Sequence, residues 1–287
     1  MSSFSEFLPQ RPASIHKGDR GGVLIVGGSS LYRGAPVLAA RGALRSGCGL
    51  AVIFSEEVVC AAAASSLPEC IVQAGLFTSS RKEIINVLES WESRIECLVL
   101  GPGLGRSPEA GIIVRLVLEK WEKSMILDGD GIFWLSQYAS VFKRRASLLL
   151  TPHEGEAACL LGASIESVRC ARGESARRIA VRDGIVLLKG PQTLVDDGVR
   201  CEMIDEGNQA LAIPGSGDVL SGSIAAFSAA GLPLFESACL GAVVHGRAGR
   251  LVSRKLGIDG VLASEVADAL PLILQKMRMR ERETKTN

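Results

Sequence analysis

The chain has 287 residues, 47% of them hydrophobic and 5% aromatic, with 32 Lys and Arg against 31 Asp and Glu for a formal net charge of +1. That length buries a sizeable core in one large α/β domain or two small ones. The near-zero charge excludes the footprint of a nucleic-acid binder, so an anionic ligand must be held by local donors.

The predicted elements alternate between strand and helix. Val23–Val26 is a short apolar strand that runs into Gly27 and Gly28, and Pro36–Arg45 then has helical periodicity. Leu50–Phe54 reads as a strand, Val58–Ser65 as an Ala-rich helix, Ile84–Trp91 as a helix and Cys97–Leu100 as a strand. Ile112–Trp121 (helix), Met125–Leu127 (strand), Leu148–Leu150 (strand) and Glu154–Leu161 (helix) follow, then a helix around Ala171–Arg182 and the strand Ile185–Leu188. This β-α-β-α order predicts a mostly parallel central sheet with helices on both faces, a three-layer α/β/α fold. Thr193–Val195 and Val199–Glu202 form a hairpin around Asp196-Asp197-Gly198. The last third is helical: Gly217–Ala230, Phe235–Leu256 and Ser264–Met277, before a charged tail, Lys276–Asn287, expected to fray. With no linker or repeat, residues 1–287 are read as a single domain.

Eight cysteines without a C-x-x-C pair are read as reduced, buried thiols of a cytoplasmic protein. Three histidines, His16, His153 and His245, are too few for a His/Cys zinc site, and no metal ligand is assigned. Residues Met1–Gln10 lack a basic-then-apolar leader, and Gly231, Pro233 and Glu236 interrupt the apolar stretch Ile224–His245. Neither export nor a membrane span is expected.

Open parallel sheets bind ligands in loops at the carboxyl ends of their strands, and several of six unusual loops fall there. Gly27–Ala35 joins the first strand to a helix without the Lys-Ser/Thr of a phosphate-binding Walker loop. Gly101-Pro-Gly-Leu-Gly-Arg106 nearly matches a dinucleotide fingerprint, but Arg106 replaces its third glycine. Asp128-Gly-Asp130-Gly places two carboxylates at a strand end, fit either for Mg2+ or for turn and capping chemistry. In Thr151-Pro-His-Glu-Gly-Glu156, Thr151 suits an N-cap completed by Glu154, which leaves His153 as a ligand contact. His16 and His245 are taken as structural. Lys189-Gly-Pro-Gln-Thr193 follows a buried strand, where the lysine either meets a nucleotide or reaches back to water.

The sixth loop is Pro214-Gly-Ser-Gly-Asp218. Its glycines and the positive end of the helix that starts there make an anion hole for a phosphoryl group. Asp218 in the first turn is placed to take a proton from an alcohol. Gly215, Ser216, Gly217 and Asp218 form the candidate catalytic set.

These residues carry a family resemblance. Gly215-Ser-Gly-Asp218 is similar to the G-x-G-D motif of the ribokinase-like superfamily. G-G-S-S-L-Y-R-G-A, G-P-G-L-G, L-D-G-D-G, L-T-P-H-E-G-E, L-K-G-P-Q-T and G-N-Q-A-L-A-I-P-G-S-G-D stand in the order seen in ADP- or ATP-dependent NAD(P)H-hydrate dehydratases, over roughly residues 11–275. The resemblance implies a hydro-lyase that restores NADH or NADPH from the (S)-hydrates NADHX and NADPHX. Its nucleotide phosphorylates the hydrate hydroxyl, and phosphate is then eliminated. It implies that Asp218 is the base, that Gly217 and its neighbours cradle the phosphate, and that Lys189, Gly190, Pro191, Gln192, Thr193 and Gly217 contact the nucleotide. Ala35, Gly103, His153 and Asp218 would contact the hydrate. It further implies Mg2+, ADP rather than ATP, a homotetramer, and an NAD(P)HX epimerase on a separate chain rather than fused. Ser216 stands for a frequent threonine, Pro214 for a frequent glycine and Glu154 for a frequent proline. Gly129 and Gly131 stand for common alanines. A small-molecule kinase of the same fold, which shares Asp218 and the anion hole, is the alternative; a non-catalytic nucleotide-binding protein is a more distant one.

Overall fold

The computed structural model describes residues 4–12, 14–138 and 147–286. Nine strands form one sheet in the order β3-β2-β1-β4-β5-β6-β7-β8-β9. The first six are β1 (Gly22–Val26), β2 (Leu50–Ser55), β3 (Ile71–Ala74), β4 (Cys97–Leu100), β5 (Ser124–Leu127) and β6 (Leu148–Leu150). The others are β7 (Ile185–Leu188), β8 (Thr193–Asp196) and β9 (Cys201–Ile204). Pairings from β3 through to β7 are parallel; β8 and β9 add an antiparallel hairpin.

The parallel strands are apolar on both faces because both faces are covered. Val23 and Ile25 enter one core, whereas Leu24 and Val26 enter the other. The first core is closed by α1 (Gly34–Arg45), α9 (Ser216–Ala229), α10 (Leu234–Leu256) and α11 (Ala263–Thr286). The second is closed mainly by α3 (Arg81–Glu92), α4 (Pro108–Lys120), α5 (Asp130–Tyr138), α6 (Glu154–Leu161) and α8 (Arg172–Asp183). The other α-helices among the described residues are α2 (Glu57–Ser66) and α7 (Ile165–Cys170). The expected three-layer α/β/α arrangement is therefore present. No helix among the described residues is long and apolar enough to cross a membrane.

Helices α1 and α9 approach until their backbones touch. A Cβ on Gly42 would overlap the Val219 carbonyl, and one on Gly222 would overlap that of Ala39. Only glycine permits this spacing.

Several local expectations need correction. Strand β3 escapes the sequence reading because it is a short edge strand with an exposed Ile71 and no fully buried residue. The tail is helical to Thr286, and Asn287 lies outside the described residues. Strong helix formers fill that stretch, and Arg278 anchors it by donating to the Pro9 carbonyl at 2.8 Å. All eight thiols are free, but Cys159, Cys170 and Cys201 are exposed, since they sit on α6, at the end of α7 and on the edge strand β9.

Candidate active site

Chain direction along the sheet reverses at β1, which lies between β2 and β4. Connections diverge there, leaving a crevice at the carboxyl ends of the strands. Five of the six loops singled out above follow β1, β4, β5, β6 and β7, and the sixth leads into α9.

Gly215 is the N-cap of α9 with φ +83°, a left-handed conformation that favours glycine and turns the chain into the helix. The opening amides of a helix have no intrahelical acceptor; the Ser216 amide donates to the Ile213 carbonyl at 3.4 Å, which leaves those of Gly217 and Asp218 to present donors and a partial positive charge. Ser216 is held from behind: its hydroxyl lies 3.2 Å from Nε2 of His245, which is buried on α10. Burial pushes the His245 imidazole down to about 4, so the ring is neutral at physiological pH. The expected structural role of His245 is thus a contact beneath the anion hole.

Around Asp218 the fold gathers four charged groups from distant segments. Asp128, at the end of β5, is buried and accepts from Thr151 Oγ1 at 2.9 Å and from Lys189 Nζ at 3.0 Å. Glu156, in the first turn of α6, lies 3.7 Å from the same ammonium. A Cβ on Gly217 would stand 3.3 Å from Lys189 Nζ and 3.8 Å from Asp128 Oδ2, so this cluster borders the anion hole. Burial alone would lower the Lys189 pKa, but Asp128, Glu156 and Asp218 outweigh it and hold it above the ordinary lysine value. Burial raises Glu156 against the pull of Lys189. Asp218 is pushed up to about 8, first by burial and then by Asp128, with Lys189 opposing and Glu156 and Asp130 adding. A carboxyl poised near neutrality suits a general base, whose ideal pKa lies near the working pH.

Gly103 and Ala35, two of the residues that the resemblance assigns to the substrate, meet across two loops. A Cβ on Gly103, at φ +61°, would sit 2.7 Å from Tyr32 Cβ and 2.9 Å from Ala35 Cβ. Ser29 Oγ donates to the Gly103 carbonyl at 2.9 Å, which ties the loops together. Asp130 fastens the second loop by accepting from the Gly105 amide at 2.8 Å, and it pairs with Arg106 at 3.2 Å. The carboxylate considered for Mg2+ at Asp130 is therefore engaged in shaping this loop.

At the β6–α6 junction the capping assignment changes. His153, not Thr151, is the N-cap: its Nδ1 accepts from the amides of Gly155 at 2.9 Å and Glu156 at 3.2 Å, and Glu156 completes the box. Thr151 instead turns inward, donating to Asp128, because it is still in line with the sheet. The His153 side chain remains largely exposed, with Nε2 free of the capping bonds and 3.6 Å from Glu156 Oε1.

The Lys189–Thr193 loop is held from below. Arg172 donates to the carbonyls of Leu188, Lys189 and Gln192 at 3.1–3.3 Å, and it pairs with Glu154. Thr193 Oγ1 donates to the Gly190 carbonyl at 3.2 Å. Pro191 and Gln192 are exposed at the tip. Glu154 also pairs with Arg169, so it braces the loop through Arg172. Pro214 is exposed just outside the turn. Sequence reasoning missed the joint role of Asp128, Thr151, Glu156 and Arg172; the available signals were Asp128, Thr151 and Glu156, which lie in motifs already singled out, whereas Arg172 lies in none of them.

Comparison with known proteins bears on this arrangement. The sequence profile of the NAD(P)H-hydrate dehydratase family matches residues 23–272. A bifunctional NAD(P)H-hydrate repair enzyme of Thermanaerovibrio acidaminovorans is 39% identical over 273 residues, 93% of this chain and 53% of that protein. The chain thus spans about half the length of such bifunctional relatives. An ADP-dependent (S)-NAD(P)H-hydrate dehydratase of Neisseria meningitidis is 36% identical over 93% of this chain and 89% of its own length. Among solved structures, the ADP/ATP-dependent NAD(P)H-hydrate dehydratase of Bacillus subtilis, co-crystallised with ATP and Mg2+, superposes with a TM-score of 0.85 at 29% identity, covering 96% of each chain.

Proposed function

Since this chain belongs to the NAD(P)H-hydrate dehydratase family and has its ribokinase-like fold, we propose that it dehydrates (S)-NADHX and (S)-NADPHX to NADH and NADPH, with ADP or ATP as phosphoryl donor. The observation that carries this reading is the placement of Asp218. It stands at the head of α9 beside the Gly217 anion hole, where burial, reinforced by Asp128, raises its pKa to about 8.

Asp218 takes the proton of the hydrate hydroxyl as that oxygen attacks the terminal phosphorus. The bond from phosphorus to the nucleotide oxygen breaks, and ADP leaves as AMP, or ATP as ADP. The turn Gly215–Asp218 and Lys189 receive the negative charge of the moving phosphoryl group. The phosphate ester then departs as the ring-nitrogen lone pair displaces it, and loss of the neighbouring ring proton restores the dihydronicotinamide double bond. Ala35, Gly103 and His153 hold the hydrate, and Lys189 to Thr193 hold the nucleotide.

Mg2+ suits the donor set here. Three carboxylates face one lysine beside the anion hole, and Mg2+ takes one or two carboxylates plus phosphate oxygens rather than a full protein cage. Among the described residues no cluster would cage a metal unaided. Asp128 and Glu156 would hold the ion, which neutralises charge on the nucleotide phosphates. The same reading places the enzyme in the cytoplasm as a homotetramer. Apolar Leu256, Ile258 and Leu262, exposed at and after the end of α10, are surface of the kind that subunit contacts cover. Interconversion of the hydrate epimers is assigned to a separate catalytic unit.

The test is incubation with NADH hydrate, Mg2+ and each nucleotide in turn. Dehydration gives dihydronicotinamide absorbance and one phosphate per turnover. Accumulation of a stable phosphorylated product identifies a small-molecule kinase instead.

A further inference from the structure

Helix α10 holds the approach to the anion hole as well as its floor. The segment Asp205–Ile213 leads from β9 toward the turn at Gly215, and one stretch of α10 fastens it. Arg247 donates to Glu206 Oε1 from Nε at 3.0 Å and from Nη2 at 2.6 Å. Arg250 donates to the carbonyls of Asp205 at 2.9 Å and Gly207 at 3.2 Å. Asn208 Nδ2 donates to Ser253 Oγ at 2.7 Å. Gly246 lets the two backbones close up, since a Cβ there would stand 2.7 Å from the Glu206 carbonyl carbon.

The same helix reaches the turn itself through His245. The buried Ser216 hydroxyl lies 3.2 Å from Nε2 of the equally buried ring, and the ring also engages the Ser216 main chain. Among the described residues neither side chain bonds to any other residue. A buried hydroxyl without a partner bears its full desolvation cost, so the pair holds itself closed. The neutral ring sets no positive charge beneath the phosphoryl group. Its influence on the hole is therefore one of direction, not of charge.

We propose that His245 is a positioning residue for phosphoryl transfer: by latching Ser216 to α10 it aims the amides of Gly217 and Asp218 before any ligand binds. The inference rests on the reading above, in which that turn receives the moving phosphoryl group. Donors aimed beforehand need no reorganisation at the moment of transfer. A small displacement of them is felt in turnover more than in nucleotide binding, because the charge they meet develops in the transition state.

The experiment measures kcat on NADH hydrate with ADP, calorimetric affinity for ADP and melting temperature. The unmodified protein is compared with Ser216→Ala, His245→Leu, His245→Gln and the double variant Ser216→Ala with His245→Leu. Leucine at 245 should lower kcat about 10–100-fold and leave ADP affinity within about threefold. Ser216→Ala should act in the same direction. The double variant should be within about twofold of the slower single one, since both changes remove one bond. His245→Gln, which can present an amide where Nε2 stands, should recover most of the turnover. A leucine variant that melts earlier but keeps its kcat makes His245 a packing residue and overturns the proposal. Losses that multiply in the double variant, or a glutamine variant as slow as leucine, overturn it too. Should the leucine variant not fold, Ser216→Ala decides: unaltered kcat there overturns the latch. Absence of hydrate turnover in the unmodified protein overturns the reaction, and the positioning role with it.

Discussion

Replacing Asp218 with asparagine should make the protein more stable and nearly inactive at once. Burial and like charges raise the Asp218 pKa from 3.8 to about 8. For a carboxyl raised in this way the favourable contribution is complete below the unfolded pKa. It is lost as pH climbs through the folded pKa, because the unfolded chain ionises freely and the folded site resists. Each pKa unit corresponds to about 1.4 kcal/mol, so the full shift sets a ceiling of roughly 5–6 kcal/mol at pH 9. Partial solvent access reduces this to about 2–3 kcal/mol, most of it gained between pH 5 and 8. Asparagine keeps the shape without the charge. Urea unfolding without metal or nucleotide should show Asp218→Asn ahead of the unmodified protein at pH 8–9, with the gap closing toward pH 4. The same variant should lose about 10²–10⁴-fold in turnover, the usual contribution of a general base, while binding nucleotide nearly normally. Near-normal turnover refutes the base, and a stability difference that ignores pH refutes the buried charge.

The other charged groups give complementary tests. Lys189→Met should raise the nucleotide KM about tenfold or more, and the hydrate KM less, since a single charge-assisted contact is worth about 1.5–3 kcal/mol; equal calorimetric affinity for ADP in both proteins rules the contact out. It should also weaken folding at neutral pH, because Asp128 and Glu156 lose their shared partner. His153→Ala should lower stability by about 1 kcal/mol through loss of the α6 cap, whereas His153→Asn, itself a good cap, should recover the melting temperature and still bind hydrate poorly. An asparagine variant with normal hydrate KM reduces His153 to a cap. Gly217→Ala places a methyl 3.3 Å from Lys189 Nζ and should cut turnover at least tenfold with little change in melting temperature; unaltered kinetics would mean that the phosphate does not enter there.

Much of this architecture is legible in the primary structure because it is written locally. The buried strands are uninterrupted apolar runs, the helices keep their period, and Gly215–Asp218 carries its turn and its carboxylate within four residues. What stays hidden is written between segments. Lys189 and Asp128 are 61 residues apart, and nothing near Lys189 announces that it faces carboxylates rather than water. The cap at His153 misleads for a related reason. Thr151 is an equally good capping residue by type, and only the length of β6 decides that it turns inward. Strand β3 is faint because an edge strand need not alternate cleanly when its outer flank meets solvent.

The glycine contacts between α1 and α9 carry a mechanical implication. Ala35 rides at the start of one helix and Asp218 at the start of the other, and Gly42 and Gly222 lock the pair backbone to backbone. On the proposed reading, the residue that touches the substrate and the residue that takes its proton therefore share a single stiff chassis, and the spacing of Ala35 and Asp218 is fixed when the chain folds rather than when ligands arrive. Any closure during turnover has to be made by the loops above that chassis, and a methyl group added at either glycine would detune the reaction from beneath without touching a reactant.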